Sequence, residues 1–226
     1  MNEFQTNIKE FLISIGADLV GFCKLNEQPI KEDLSLTYAI SIAVKLPDAV
    51  LKTIDKKPTI SYFHEYRSAN ALLDSISFRC ARYLEKQGYN GFPIAASQST
   101  ADDKNSFKGV FSHKTAGRLS GLGFIGKSGL FISKDYGSKI RLATILTDAP
   151  LESEAPIIEN GCGSCDKCVK SCPAGAISGI VYEEGMDREE FFSAEKCSKH
   201  MKSYNDIGRG SVCGICIKTC PYNRLI

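Results

Sequence analysis

The chain has 226 residues and a hydrophobic fraction of 43%, which is enough for one large domain or two small ones. Its formal net charge is only +2, so a dominant nucleic-acid-binding surface is not expected, although a local basic patch stays open. The N-terminal sequence MNEFQTNIKEF lacks the basic and apolar regions of a secretory signal, and no apolar run reaches membrane-spanning length. We therefore expect a cytoplasmic protein.

Helices and strands alternate irregularly through the first part of the chain, and this pattern predicts an α+β domain with a mixed sheet. Apolar residues at helical spacing, with glycines as stop signals, predict helices at residues 4–15, 61–87 and 113–122. Runs rich in β-forming residues predict strands at residues 17–23, 38–44, 92–95, 130–133 and 141–147. We expect the last two strands to form a hairpin across the sequence YGSK.

Residues 121–128 read GLGFIGKS and match two nucleotide-binding patterns, GxGxxG and GxxxxGK(S/T). Both patterns require a strand that enters the loop and a helix that leaves it with its N-terminus facing a phosphate. In this chain a helical stretch enters and a strand leaves. We therefore interpret the segment either as a loop that contacts another cofactor or as a helix C-cap followed by a turn.

Eight of the ten cysteines lie in the last third of the chain. Residues 162–172 have the spacing C-x2-C-x2-C-x3-C and precede Pro173, while residues 213–220 form a second, incomplete run before Pro221. This spacing is typical of proteins with two [4Fe–4S] clusters, in which the fourth cysteine of a run binds the other cluster. The sequence therefore predicts an electron-handling protein.

The spacing divides the ligands between two clusters. Cluster A would be bound by Cys162, Cys165, Cys168 and Cys220. Cluster B would be bound by Cys172, Cys213 and Cys216, and we assign Cys197 as its fourth ligand because no other cysteine lies in this region. His200 competes for that place, since imidazole can replace thiolate on iron. Zinc is the alternative metal, although three cysteines in one run fit a cubane cluster better.

Near residue 150 the composition changes, and Pro156 with its acidic neighbours is typical of a linker. We expect an α+β cofactor-binding domain over residues 1–155 and a double [4Fe–4S] ferredoxin-like domain over residues 156–226. Cys23 and Cys80 remain outside the clusters, and we interpret both as buried structural thiols.

Three segments of the chain together resemble the epoxyqueuosine reductase family. They are HKTAGRLSGLGFIGKSGLFISKDYGSKIRLATILTDAPL, CGSCDKCVKSCPAGAI and CGICIKTCPYN. The iron–sulfur module and cobalamin-binding core of that family are also related to reductive dehalogenases. The family's glycine loop corresponds to Gly121–Lys127, with Phe124 at the aromatic position. Its isolated cysteine between the two runs corresponds to Cys197.

The resemblance implies that a cobalamin lies over the N-terminal core and is reduced by a neighbouring cluster. The implied cofactor contacts are Gly121, Leu122, Gly123, Phe124, Ile125, Gly126 and Lys127. The implied function is reduction of a small molecule or modified base, with electrons from a donor such as a ferredoxin or flavodoxin. Two alternatives are an electron-transfer or cobalamin-handling protein without its own substrate, and epoxyqueuosine reduction in tRNA.

Three features differ from the tRNA-reading members of the family. The sequence stops at Ile226, so we expect a short form that lacks the C-terminal helical-repeat domain. Phe107 stands where those enzymes have an acidic proton donor, and His113 occupies a second acidic position. Because the pKa of histidine is near neutrality, His113 is our candidate for the catalytic proton donor. The alternative is an exposed or capping histidine at the start of a helix. The third difference is the nearly neutral net charge, which fits a tRNA substrate poorly.

Overall fold

The structure is a computed structural model that describes residues 2–26, 35–98, 107–157, 159–207 and 212–224. The helices are α1 (Glu3–Ser14), α2 (Asp48–Lys52), α3 (Ile60–Lys86), α4 (His113–Leu119), α5 (Lys167–Ser171), α6 (Arg188–Phe191), α7 (Ala194–Met201) and α8 (Ile215–Thr219), with a 3-10 turn at Pro221–Asn223. The strands are β1 (Leu19–Lys24), β2 (Tyr38–Lys45), β3 (Gly91–Ile94), β4 (Gly123–Ile125), β5 (Phe131–Ser133) and β6 (Ile140–Thr147).

The chain forms two compact units, and neither is continuous in sequence. The first comprises residues 1–45, 69–122 and 141–157, and the second comprises residues 46–68, 123–140 and 158–226. The second unit therefore contains the cysteine-rich region together with two earlier segments. The predicted division into domains at residue 155 stays a prediction.

A four-stranded sheet in the order β1-β2-β6-β3 organises the first unit. β1 pairs antiparallel with β2, with Leu19 opposite Ala43, and β3 pairs antiparallel with β6, with Gly91 opposite Thr147. The six inner residues of β2 are all buried, as expected for a strand covered on both faces. The predicted α+β class is confirmed.

Two helices bring apolar stripes into the core of the first unit. In α1, Ile8 and Leu12 are fully buried one turn apart, and the Asn2 side chain caps the helix by accepting from the Gln5 N–H. The stripe predicted for α3 is buried at Ala69, Leu73, Ile76, Cys80 and Leu84. Burial raises the pKa of Cys80 to about 12, so this thiol is protonated and structural at neutral pH.

The short helix α4 packs on a second apolar cluster of the first unit. This cluster contains Cys23, Leu25, Leu36, Ala39, Ile94, Ala116 and Leu146. The helix ends in a left-handed turn at Gly121, where the Gly121 N–H donates to the Arg118 carbonyl and the Leu122 N–H donates to the Gly117 carbonyl. The C-cap interpretation of Gly121 is thus confirmed. None of the helices described is long and apolar enough to cross a membrane.

In the second unit, β4 and β5 form a hairpin in which Phe124 lies opposite Ile132. The predicted hairpin between residues 130–133 and 141–147 is therefore wrong. The intervening turn is held elsewhere, because the backbone N–H and the hydroxyl of Ser138 both donate to the Asn223 side-chain oxygen. Gly137 adopts a positive φ of 61° there, and a Cβ atom on it would lie 2.6 Å from that oxygen.

Candidate iron–sulfur site

The two cysteine runs adopt the same local structure. Each forms a short helix, α5 or α8, and each helix ends at the last cysteine of its run. Cys172 and Cys220 have ψ angles of 110° and 122°, because a following proline excludes the helical conformation from the preceding residue. Both cysteines therefore leave their helices in the same extended conformation, and α5 and α8 pack against each other.

The thiols assigned to cluster A lie close enough to influence one another's ionisation. Burial raises the pKa of Cys168, and the thiols of Cys162 and Cys220 raise it further. Burial is also the main cause of the raised pKa of Cys220, to which Cys162 and Cys165 add. The structure thus brings Cys220 together with the first three cysteines of the other run.

The thiols assigned to cluster B form a second group. Burial raises the pKa of Cys197 to about 11, and the neighbouring Cys213 and Cys172 raise it further. Burial also raises the pKa of Cys216, with added effects of Cys213, Cys197, Cys172 and, from the first group, Cys168. Cys197 on α7 therefore lies with Cys172, Cys213 and Cys216, the three other ligands proposed for cluster B.

Hydrogen-bond donors point at several of these sulfur atoms. The backbone N–H of Ala176 donates to the Cys172 Sγ over 3.4 Å, and those of Ile215 and Tyr222 hydrogen-bond to Cys213 and Cys220. Donors of this kind stabilise a thiolate, which is the form that binds iron. The residues present therefore fit the predicted clusters.

No group of three or more histidine, cysteine, aspartate or glutamate side chains in the described ranges is placed to hold a single metal ion. A [4Fe–4S] cluster makes a different demand, because its thiolates bind separate iron atoms around a cube.

His200 does not join the second group of thiols directly. Its Nε2 lies 2.8 Å from the Tyr204 hydroxyl, which is in turn 4.0 Å from the Cys213 Sγ. This arrangement favours Cys197 over His200 as the fourth ligand of cluster B. Tyr204 was not identified from the sequence; its position four residues after His200 was the only local signal of their contact.

The three glycines of the predicted cofactor loop are packed against the protein itself. A Cβ atom on Gly121 would lie 2.8 Å from the Ala155 carbonyl oxygen. A Cβ atom on Gly123 would lie 2.1 Å from the Ile132 carbonyl oxygen, and one on Gly126 would lie 2.5 Å from the Ile132 Cδ1. The absence of side chains at these three positions therefore makes room for neighbouring chain segments.

The remaining polar contacts of this loop are also internal. The Ile125 carbonyl accepts from the Asn160 side chain over 2.7 Å, and Phe124 packs edge-on against Tyr222. The Lys127 Nζ donates to the carbonyl oxygens of Gly163 and Cys165 over 2.7 and 3.3 Å. These contacts are internal to the protein, and the predicted cobalamin contacts of residues 121–127 stay a prediction.

The imidazole ring of His113, the candidate proton donor, is held by two hydrogen bonds. Its Nε2 lies 3.0 Å from the Ala95 carbonyl oxygen and its Nδ1 lies 2.9 Å from the Thr144 hydroxyl, so Nε2 carries the proton and Nδ1 accepts. Burial lowers the pKa of His113 to about 4. A neutral ring whose N–H is already bonded to the backbone is poorly arranged to donate a proton to a substrate, and the catalytic role of His113 stays a prediction that this geometry does not favour.

The comparisons with known proteins agree with the cysteine chemistry. Residues 161–223 match the family model described as a 4Fe-4S double cluster binding domain. An epoxyqueuosine reductase of Lactococcus garvieae is 34% identical over 119 residues, which cover 46% of this chain and 30% of that protein. A tetrachloroethene reductive dehalogenase of Sulfurospirillum multivorans is 29% identical over 116 residues, covering 46% of this chain and 22% of that protein.

Two groups of solved structures share the fold. A reductive dehalogenase whose structure suggests a mechanism for B12-dependent dehalogenation has a TM-score of 0.74 at 22% identity, covering 96% of this chain and 31% of the other. An epoxyqueuosine reductase with an epoxyqueuosine-modified tRNA-Tyr stem loop has a TM-score of 0.64 at 20% identity, covering 98% and 65%.

The chain spans about three tenths of the length of the first curated relatives that it matches. These similarities show that the chain is a relative of the epoxyqueuosine reductases and reductive dehalogenases, with a 4Fe–4S double-cluster domain at residues 161–223.

Proposed function

We propose that this chain is an iron–sulfur reductase in which two [4Fe–4S] clusters deliver electrons for the reduction of a small molecule or a modified base. The division of eight thiols into two groups of four is the observation that carries the proposal. The match to a double-cluster domain supports the same assignment. When bound, each cluster would supply one electron at a potential set by hydrogen bonds, charge and solvent exposure.

The proposed ligands do different local work. Cys172 and Cys220 each link one run to the other cluster, while Cys197 adds a thiolate from α7. Burial has raised the pKa of Cys197 to about 11, so iron must displace its proton on binding. The backbone N–H groups that bond to Cys172, Cys213 and Cys220 would stabilise these three residues as thiolates.

We include cobalamin as a proposed cofactor because the fold is similar to that of a reductive dehalogenase described as B12-dependent. The contacts described for the loop at residues 121–127 are internal, so its role in binding cobalamin stays a prediction. An electron-transfer or cobalamin-handling protein without its own substrate is the alternative. The proposed electron source is a ferredoxin or flavodoxin.

Epoxyqueuosine in tRNA is the specific modified base that the comparisons favour. The L. garvieae relative is named for this activity, and one similar structure contains an epoxyqueuosine-modified tRNA stem loop. Transfer of that substrate to the present chain is part of the proposal, because the matched regions cover only part of the relatives. It also revises the expectation from net charge, since a tRNA contact needs only a local basic patch.

The ligand scheme is tested by anaerobic purification and reconstitution. We expect about eight iron atoms per chain in the wild type, and about four or seven in Cys197→Ala, depending on whether cluster B is lost or retains three irons. Cys23→Ala is the matched control, because it removes a buried thiol outside both groups and should leave the iron content unchanged. Unaltered iron and absorption spectra in Cys197→Ala would contradict the assignment.

Cofactor and substrate are tested on the reconstituted wild type. Titration with cobalamin should shift the cobalt absorption bands, and a lack of binding at high micromolar cobalamin would favour the electron-transfer alternative. Reduction of an epoxyqueuosine-modified stem loop, followed by mass spectrometry, would establish the tRNA reaction. Protein with intact clusters and cobalamin that leaves this RNA unreduced would exclude it.

A further inference from the structure

Lys127 is a buried lysine whose ammonium group contacts the loop of the first cysteine run. Only 8% of the Lys127 residue is exposed to solvent. The Nζ donates to the carbonyl oxygens of Gly163 and Cys165. Gly163 follows the first ligand proposed for cluster A, and Cys165 is the second. Burying a charged group costs free energy unless hydrogen bonds offset it. The hydrogen bonds to these two carbonyl oxygens therefore stabilise the buried ammonium group and tie the loop to Lys127.

The backbone beside Lys127 also contacts this run. The Lys127 backbone N–H hydrogen-bonds to Cys162, whose pKa is raised by burial and lowered in part by this bond and by the Lys127 charge. A Cβ atom on Gly126 would lie 3.3 Å from the Cys162 Sγ, so the backbone passes directly beside the sulfur. The Asn160 side chain donates to the Ile125 carbonyl and accepts from the Cys162 N–H, which fastens the same two segments together.

We infer that Lys127 is a positioning residue for cluster A, which holds the loop of its first three ligands and raises its reduction potential. The inference rests on the proposed pair of clusters. Reduction adds negative charge to a cluster, and a fixed positive charge in a partly buried site stabilises that charge. N–H donors to the ligand sulfur act in the same direction, because hydrogen bonds to the sulfurs are among the factors that set cluster potential.

The role assigned to Lys127 differs from phosphate binding by a GxxxxGK(S/T) loop and from a cobalamin contact. In both of those roles the ammonium would face a ligand. Here its two hydrogen bonds are directed at the protein backbone within the cluster region. Its effect should therefore be specific to cluster A and independent of any added nucleotide or corrinoid.

The test compares Lys127→Gln and Lys127→Arg in anaerobically reconstituted full-length protein. Glutamine retains N–H donors without the charge, whereas arginine retains both. Lys170→Gln is the control, because it makes the same charge change at an exposed side chain that pairs with Asp166. The readouts are iron content and a redox titration followed by electron paramagnetic resonance, with the cluster A signal identified by its loss in Cys165→Ala.

We expect Lys127→Gln to shift the midpoint potential of cluster A to a more negative value and to leave cluster B unchanged. Lys127→Arg and Lys170→Gln should remain close to the wild type. Selective loss of about four irons in Lys127→Gln, with about eight retained in Lys127→Arg, would also support the inference because the loop would then need the charge to assemble.

Two results would overturn the inference. One is a Lys127→Gln protein with about eight irons and both potentials unchanged, and the other is loss of both clusters from this variant. Failure of the proposed function is separable, because it would appear as a wild-type protein that does not assemble two clusters at all.

Discussion

The protonation of His113 is decided by its two fixed neighbours. The Ala95 carbonyl can only accept, so it requires the N–H on Nε2, and the Thr144 hydroxyl then donates to Nδ1. A second proton would remove that acceptor and place a charge in a half-buried site. The ring therefore joins α4 to β6 and to the end of β3 in its neutral form.

This histidine should make stability depend on pH. Its folded pKa of about 4 lies below the ordinary value of 6.5, so the unfolded chain binds more protons between those values and stability falls as pH decreases through this window. Between pH 7.5 and 5.5 the wild type should lose about 1 kcal/mol of unfolding free energy from this residue.

The measurement is anaerobic urea unfolding of the wild type and His113→Asn at both pH values. The difference between the two proteins isolates the contribution of His113 from that of the other titrating groups. The exposed His64→Asn variant serves as the control and should follow the wild type. Equal pH dependence in wild type and His113→Asn would contradict a ring held neutral in this half-buried site.

Side-chain roles were predictable only where spacing alone determines them. The spacing of the cysteines predicts iron–sulfur binding because a cluster requires its ligands at those intervals in the sequence. Lys127 sits in a familiar glycine pattern, but its partners Gly163 and Cys165 lie 36 and 38 residues away. A separation of 31 residues likewise conceals the contact between His113 and Thr144, so the sequence could not show that two hydrogen bonds fix this ring.

Among the structural elements, helices were predicted more reliably than strand pairing. Apolar spacing and terminal glycines are local signals, and they located α1, α3 and α4. The partner of β5 is not a local choice, because β5 pairs with β4. The YGSK turn is instead bound by Asn223, which follows the second cysteine run. No pattern within residues 130–147 contains that information.

Two helix-ending glycines offer a prediction for these elements. Gly88 ends α3 and Gly121 ends α4, with φ angles of 84° and 68° that are unfavourable for alanine. A Cβ atom on Gly88 would have no neighbour within 4 Å, whereas one on Gly121 would lie 2.8 Å from the Ala155 carbonyl oxygen. Gly88→Ala should cost about 1 kcal/mol, mainly from left-handed backbone strain, and Gly121→Ala should cost roughly 1–3 kcal/mol more from overpacking.

Urea unfolding of the two variants gives both costs under identical conditions. A Gly121→Ala penalty no larger than that of Gly88→Ala would show that the contact with Ala155 relaxes without cost.

At the scale of the whole molecule, the two units draw on different sources of stability. The first has a four-stranded sheet and long buried stripes on its helices. Within the cysteine-rich region 159–224, the described helices α5–α8 have only four to eight residues each. Helices this short are not stable alone, so this region should depend on its metal.

Removal of iron should therefore act unevenly along the chain. After anaerobic chelation, we expect hydrogen–deuterium exchange to increase strongly in residues 161–223 and to remain slow in β1, β2 and β6. Protein mixed with chelator and then reloaded with iron and sulfide is the control for reversibility. Uniform loss of protection would contradict independent stabilisation of the sheet, and unchanged protection in residues 161–223 would contradict their dependence on metal.

The extended conformation of Cys172 and Cys220 has a consequence for biosynthesis. In the proposed scheme the last cysteine of each run is a ligand of the other cluster, so one run alone cannot supply all four ligands of either cluster. A nascent chain that has emerged only as far as Thr219 would still hold an open coordination position beside Cys162, Cys165 and Cys168. Neither cluster therefore has its full set of four thiolates until both runs have been synthesised, and deletion of either run would leave both clusters lacking at least one ligand.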